Sequence, residues 1–137
     1  MKSEIQILVD TLSHTFEKNA WHGPAVLEAI ADVTHETGQR RVNDSHSIVE
    51  LIAHMTTWRN FVSEKLEGNN DFDVTDEANF PAETNWANAV AALKKSQQRL
   101  LDALTRIPVE RLDEKVPGRQ YKFRVMLNGI IHHDLYH

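Results

Sequence analysis

The sequence predicts an all-α fold, a single four-helix bundle spanning residues 1–137. Three observations predict it. Four stretches carry apolar residues at the 3.6-residue period of an amphipathic helix. Capping residues, glycines and prolines stand where those stretches begin and end. Strand-like alternation is almost absent, so the four apolar faces have only one another to pack against.

The first long helix is expected over 3–18, where Ile5, Leu8, Val9, Leu12 and Phe16 share one face. Asn19 to Gly23 ends it. Pro24 suits the first turn of a short helix, because its missing N–H would be unpaired there anyway, and Ala25 to Asp32 is that helix. Thr34 to Asp44 is polar and reads as a loop. The second long helix has the clearest start. Ser47-Ile48-Val49-Glu50 is a capping box, in which the Ser hydroxyl and the Glu carboxylate each bind the other's backbone N–H. Ile48, Leu51, Ile52, Met55, Phe61, Val62 and Leu66 follow, and Gly68-Asn69-Asn70 stops the helix.

Residues 69–84 are acidic and without period, and read as a solvated loop; the glycine and terminal glutamate of a calcium-binding EF-hand are missing. This long connection lets the second and third helices run parallel, as a crossover would. The third helix is expected from about Asn85 to Arg106, with Trp86, Val90, Leu93, Leu100, Leu101 and Leu104 as its stripe and Pro108 beyond its end. Segment 108–120 is mixed, with a Pro117-Gly118 turn. The fourth helix begins near Lys122 and aligns Met126, Ile130, His133 and His137. Gly129 inside it costs about 1 kcal/mol relative to alanine, which predicts a close helix approach there.

Hydrophobic residues make up 41% and charged residues 26%, the balance of an ordinary globular chain. The longest apolar runs, such as Ala89 to Leu93, fall far short of the roughly 20 residues of a membrane span. Met1-Lys2-Ser3-Glu4 does not open a secretory signal, and a cytoplasmic protein is expected. Fifteen Lys and Arg against 20 Asp and Glu give a net charge of -5, with no basic block to neutralise phosphates. Nucleic acid is therefore not an expected partner. No cysteine is present, which excludes disulfides, thiolate zinc sites, iron–sulfur clusters and cysteine nucleophiles. Eight histidines remain, so a transition-metal site would use imidazole and carboxylate.

His133 and His137 form an HxxxH pattern, which on a helix places two imidazoles on one face. The glutamate of an HExxH enzyme is replaced by Asp134, and the bare pattern leaves a metal pair and a plain helix end both open. His54 lies at the edge of the second helix's apolar stripe, where a buried imidazole needs a metal or a hydrogen-bond partner; both readings stand. If the second and fourth helices are neighbours, the three imidazoles converge and leave room for water, an open coordination sphere of the catalytic kind. His132 points away from this face. Asp134 is either a support for a ligand imidazole or, by preference, an exposed charge. His46 helps start the second helix. His22 lines a pocket mouth or packs under the short helix, and His14 and His35 are surface residues. Trp58 and Tyr136 are core or rim aromatics that can shape a pocket over a metal.

Trp21-His22-Gly23-Pro24, the run from His46 to Trp58, and Asn128-Gly129-Ile130-Ile131-His132-His133-Asp134-Leu135-Tyr136-His137 together resemble the DinB-like superfamily. This family of small bacterial four-helix bundles is related to the bacillithiol S-transferases and to the metal-binding domain of mycothiol-dependent maleylpyruvate isomerase. The resemblance covers nearly the whole chain. It implies a three-histidine metal site on His54, His133 and His137, a divalent ion (zinc or nickel first, with iron, manganese or cobalt as alternatives) and a homodimer. It does not imply DNA binding. Family members continue past the last histidine, whereas this sequence stops at His137, so the resemblance predicts a shortened last helix that frays beside the final ligand.

Three functions follow as expectations. The first is a metal-dependent enzyme that activates a thiol or a water against a small-molecule substrate, as a thiol S-transferase using a low-molecular-weight thiol or as a hydrolase. Asp134, Glu50 and His22 are its acid–base candidates. The second is a non-catalytic, stress-related, metal-binding dimer. The third is a structural bundle without metal.

Overall fold

The computed structural model describes residues 1–83 and 85–137, and these are helical, with no strand. Four long helices build the body: α1 (Glu4–Phe16), α4 (Ile48–Leu66), α6 (Trp86–Arg106) and α7 (Phe123–Tyr136). Between them lie the short helices α2 (Val26–Ala29), α3 (His35–Gln39) and α5 (Asp76–Asn79), and a 3₁₀ turn at Val109–Asp113. No helix is long and apolar enough to cross a membrane among the described residues.

The starts of the long helices follow their caps. Ser3 Oγ accepts from the Gln6 N–H at 3.2 Å, and Asn85 Oδ1 from the Asn88 N–H at 2.9 Å. The capping box forms as its sequence dictates: Ser47 Oγ accepts from the Glu50 N–H at 3.3 Å, and Glu50 Oε1 from the Ser47 N–H at 3.2 Å. α7 has no side-chain cap; its first N–H, on Phe123, donates to the Glu114 carbonyl at 3.0 Å.

Three connections are more ordered than their sequences suggest. Residues 34–44, expected as a loop, contain α3. Thr34 Oγ1 caps it by accepting from the Thr37 N–H at 3.1 Å. Gly38 lets it close on α6, because a Cβ there would stand 2.9 Å from the Trp86 ring. The acidic 69–84 stretch contains α5, capped by Thr75 Oγ1 on the Ala78 N–H at 3.2 Å. The mixed 108–120 segment contains the 3₁₀ turn. α2 is shorter than the span Ala25 to Asp32 and covers Val26–Ala29 alone.

The long helices pack in a ring, α1 on α6, α6 on α4, α4 on α7 and α7 back on α1. Their directions follow from the pairings. Arg59 meets Gln97 and Glu67 meets Arg99, so α4 and α6 are parallel, as the long connection predicts. Lys65 meets Pro117, Arg59 meets Asp134 and His54 meets His137, so α4 and α7 are antiparallel. Two apolar clusters fill the interior. One gathers Phe61, Val62, Leu100, Leu104 and Leu127; the other gathers Phe16, Val49, Ile52, Met55 and Leu93. Along α4 and α6 they are separated at the level of Arg59 and Gln97, which with Asp134 make a buried polar layer. The histidine cluster lies at the α4–α7 seam beside this layer.

Candidate metal centre

His54 is carried on the inner face of α4 and is 5% exposed. One turn apart on α7, His133 and His137 face it. His54 Nε2 lies 3.0 Å from His133 Nε2 and 3.2 Å from His137 Nε2, and one ligand nitrogen from each of the three falls within 4.8 Å of the others. Metal–nitrogen bonds of about 2.0–2.1 Å would place tetrahedral ligand nitrogens roughly 3.3 Å apart. The observed spacing is close to that value, so the donor set fits a divalent ion. The last turn of α7 is formed, with the His137 N–H donating to the His133 carbonyl at 3.2 Å.

A backbone contact sets the tautomer of His54. His54 Nδ1–H donates to the Asn79 carbonyl at 2.6 Å, which leaves Nε2 as the free acceptor. Burial, reinforced by the neighbouring His137, His54 and Arg59, pushes His133 down to about 4, so it is neutral near pH 7. Burial, with His54 beside it, also lowers His137. Neutral imidazoles are the form that binds metal. His133 Nδ1 is buried and has no hydrogen-bond partner among the described residues.

The Asn79 carbonyl is placed by contacts between α5 and α4. Thr57 Oγ1 donates to the Ala78 carbonyl at 2.9 Å, and Trp58 Nε1 donates to Asn79 Oδ1 at 2.7 Å. Phe80 then slots between two imidazoles, its ring centroid 4.0 Å from His54 and 3.8 Å from His46, nearly parallel to both. The sequence held no signal for Asn79 and Phe80 as supports, because the key contact is a backbone carbonyl.

Asp134 is a correction. The sequence favoured an exposed charge, with support of a ligand imidazole as the alternative. It is instead a buried partner of Arg59, whose Nη1 and Nη2 donate to its two oxygens at 2.6 Å each; both side chains are 0% exposed. Arg59 Nε donates to Gln97 Oε1 at 3.0 Å, and its guanidinium lies over the Phe16 ring. The sequence carries a signal for Arg59 that its charge obscures. Position 59 continues the stripe Ile52, Met55, Val62 and Leu66, and a charge on a core position calls for a buried partner.

The other candidates disperse. Glu50 is engaged by Ser47, Arg41 and His46 at the start of α4. His22 is exposed and lines a groove between α1 and α7 that His14 and His132 share. His35 Nδ1 accepts weakly from the Trp86 N–H at 3.5 Å. Tyr136 is exposed and sits edge-on to His137. Gly129, expected at a close helix approach, has open space where a Cβ would stand. Two apolar pockets flank the cluster. One of about 260 Å³ has His133 and Trp58 in its wall, and one of about 220 Å³ has His137 and Met55.

Neither the curated proteins nor the solved structures gave a match to this chain. The family model of the DinB superfamily matches residues 19–137, a span that includes all three clustered histidines. A helical fold, this match and the histidine cluster agree, and the chain belongs to the DinB superfamily.

Proposed function

We propose that the protein is a metal-dependent enzyme in which His54, His133 and His137 hold a divalent transition metal. The observation that carries this reading is the convergence of three imidazole nitrogens from two helices. Such an ion supplies the acidity that turns a thiol or a water into a nucleophile near neutral pH. Zinc and nickel are the first expectation, with iron, manganese, cobalt or copper compatible with three imidazoles. The reaction is thiol transfer from a low-molecular-weight thiol, or hydrolysis.

The chain's own residues orient the site. Asn79 fixes the His54 tautomer, burial keeps His133 neutral and lowers His137, and the Arg59–Asp134 pair fastens α7 to α4. Asp134 and Glu50 are committed to these structural contacts, so neither is assigned as the acid–base group.

The test is turnover by the untagged, zinc- or nickel-loaded chain. Bacillithiol, mycothiol or glutathione would be offered with a model electrophile, and a model ester offered separately. Metal-dependent turnover that disappears in His54→Ala is the expected result. Metal binding without turnover would favour the second reading, a non-catalytic metal-binding homodimer. One observation favours a partner surface: exposed Ile7, Trp21 and Leu135 line the same groove between α1 and α7.

A further inference from the structure

Gly129 sits inside α7, where glycine weakens a helix relative to alanine. Neither conformation nor packing requires it. Its φ is not positive, and a Cβ built on it meets nothing within 4 Å. Gly129 does line the pocket of about 260 Å³ between α4 and α7, with Trp58, Phe61, Tyr121, Met126 and His133. A side chain at position 129 would enter that space.

We infer that this pocket binds the apolar body of the substrate, a neutral group the size of one substituted aromatic ring, and that Gly129 keeps it open. The volume sets the size: a cavity of about 150 Å³ holds a benzene ring, so 260 Å³ takes a ring with short substituents. The lining sets the chemistry. It contains no Lys, Arg, Asp or Glu, so a charged body would lose its hydration without gaining a partner. Trp58 offers a rigid aromatic wall, held by its bond to Asn79 at 2.7 Å and packed edge-on to Phe61. Met126 supplies an adaptable one. Because His133 is part of the wall, a ligand held there lies against the histidine cluster. The inference deepens the proposed function and rests on it for the reaction, though not for the binding.

The test titrates the full chain, with and without added zinc, with 4-methylphenol and with its charged counterpart 4-methylbenzoate, followed by ligand-observed NMR. In the chain without added zinc, neutral 4-methylphenol is expected to bind at least about tenfold more tightly than 4-methylbenzoate, because the lining holds no Lys or Arg to pair a carboxylate. Gly129→Leu, which fills the pocket while raising helix propensity, should weaken 4-methylphenol by about tenfold or more and leave zinc stoichiometry unchanged. Val125→Trp, at the exposed rim, should do the same if Gly129→Leu fails to fold. Equal binding of the two probes to the chain without added zinc, or unchanged 4-methylphenol binding in a folded variant, would overturn the inference. Probe binding that follows this pattern in a chain that takes up no zinc would sink the metal reading and leave the pocket standing.

Discussion

On the α4 side of the cluster, His54 is fixed from outside its own helix. The Asn79 carbonyl takes its Nδ1 proton, Phe80 covers its ring, and Trp58 and Thr57 pin the segment that carries both. On the α7 side, His133 Nδ1 has no partner among the described residues, and the two imidazoles depend on helical register. What places that register is the Arg59–Asp134 pair, formed by the residue immediately after His133. The two sides therefore fail differently. α4 presents an imidazole held by local contacts, whereas α7 presents imidazoles held by the docking of a whole helix.

The largest expected effect comes from breaking that docking. Asp134→Ala leaves a guanidinium buried and unpaired, which should cost roughly 3–5 kcal/mol in denaturant unfolding. Arg59→Met combined with Asp134→Leu should recover most of it, because no charge is left buried. A cost below about 1 kcal/mol for Asp134→Ala would show that the pair does not hold α7. Next come the clustered imidazoles. His54→Ala and His133→Ala should each weaken zinc, measured by competition with a chelator, by more than the roughly 10–100-fold typical of a lost supporting contact. Trp58→Phe should show that smaller loss, about tenfold, because it frees Asn79 without removing a ligand. An affinity unchanged in Trp58→Phe would dissolve the contrast between the two sides.

The smallest effect lies at the start of α4. Ser47→Ala should cost about 1 kcal/mol of stability and leave zinc affinity alone. The same cap has a pH signature. Burial alone would raise the Glu50 carboxyl, but the Ser47 N–H and hydroxyl, His46 and Arg41 together bring it from 4.5 down to about 2. A carboxylate lowered in the folded state stabilises fully above its unfolded value. Its contribution is lost as pH falls from near 4.5 toward 2. Glu50→Gln should flatten that part of the acid unfolding curve, and an unchanged acid limb would remove Glu50 from the account.

These contrasts also explain what could be read in advance. The long helices were legible because periodicity and caps are local, and the HxxxH pair was legible because i and i+4 share a face on any helix. That His54 joins them depends on which helices are neighbours, and spacing alone left its role open. α5 was not legible. Its four residues carry no period, and its service to His54 runs through the Asn79 carbonyl, a group every residue possesses. Asp134 was misjudged because its partner lies 75 positions away on α4. Gly129 drew attention for its helix cost, but whether it faces a neighbour or a cavity is a fact of tertiary packing.

Everything proposed for the chemistry of this chain depends on the three imidazoles forming one metal centre. Elemental analysis of the untagged chain, purified without metal-affinity steps, tests it most directly. About one divalent transition ion per chain is expected, and it should be lost in His54→Ala while the helical content is retained. A wild-type chain without stoichiometric metal, or a His54→Ala variant that keeps the same metal content, would contradict it.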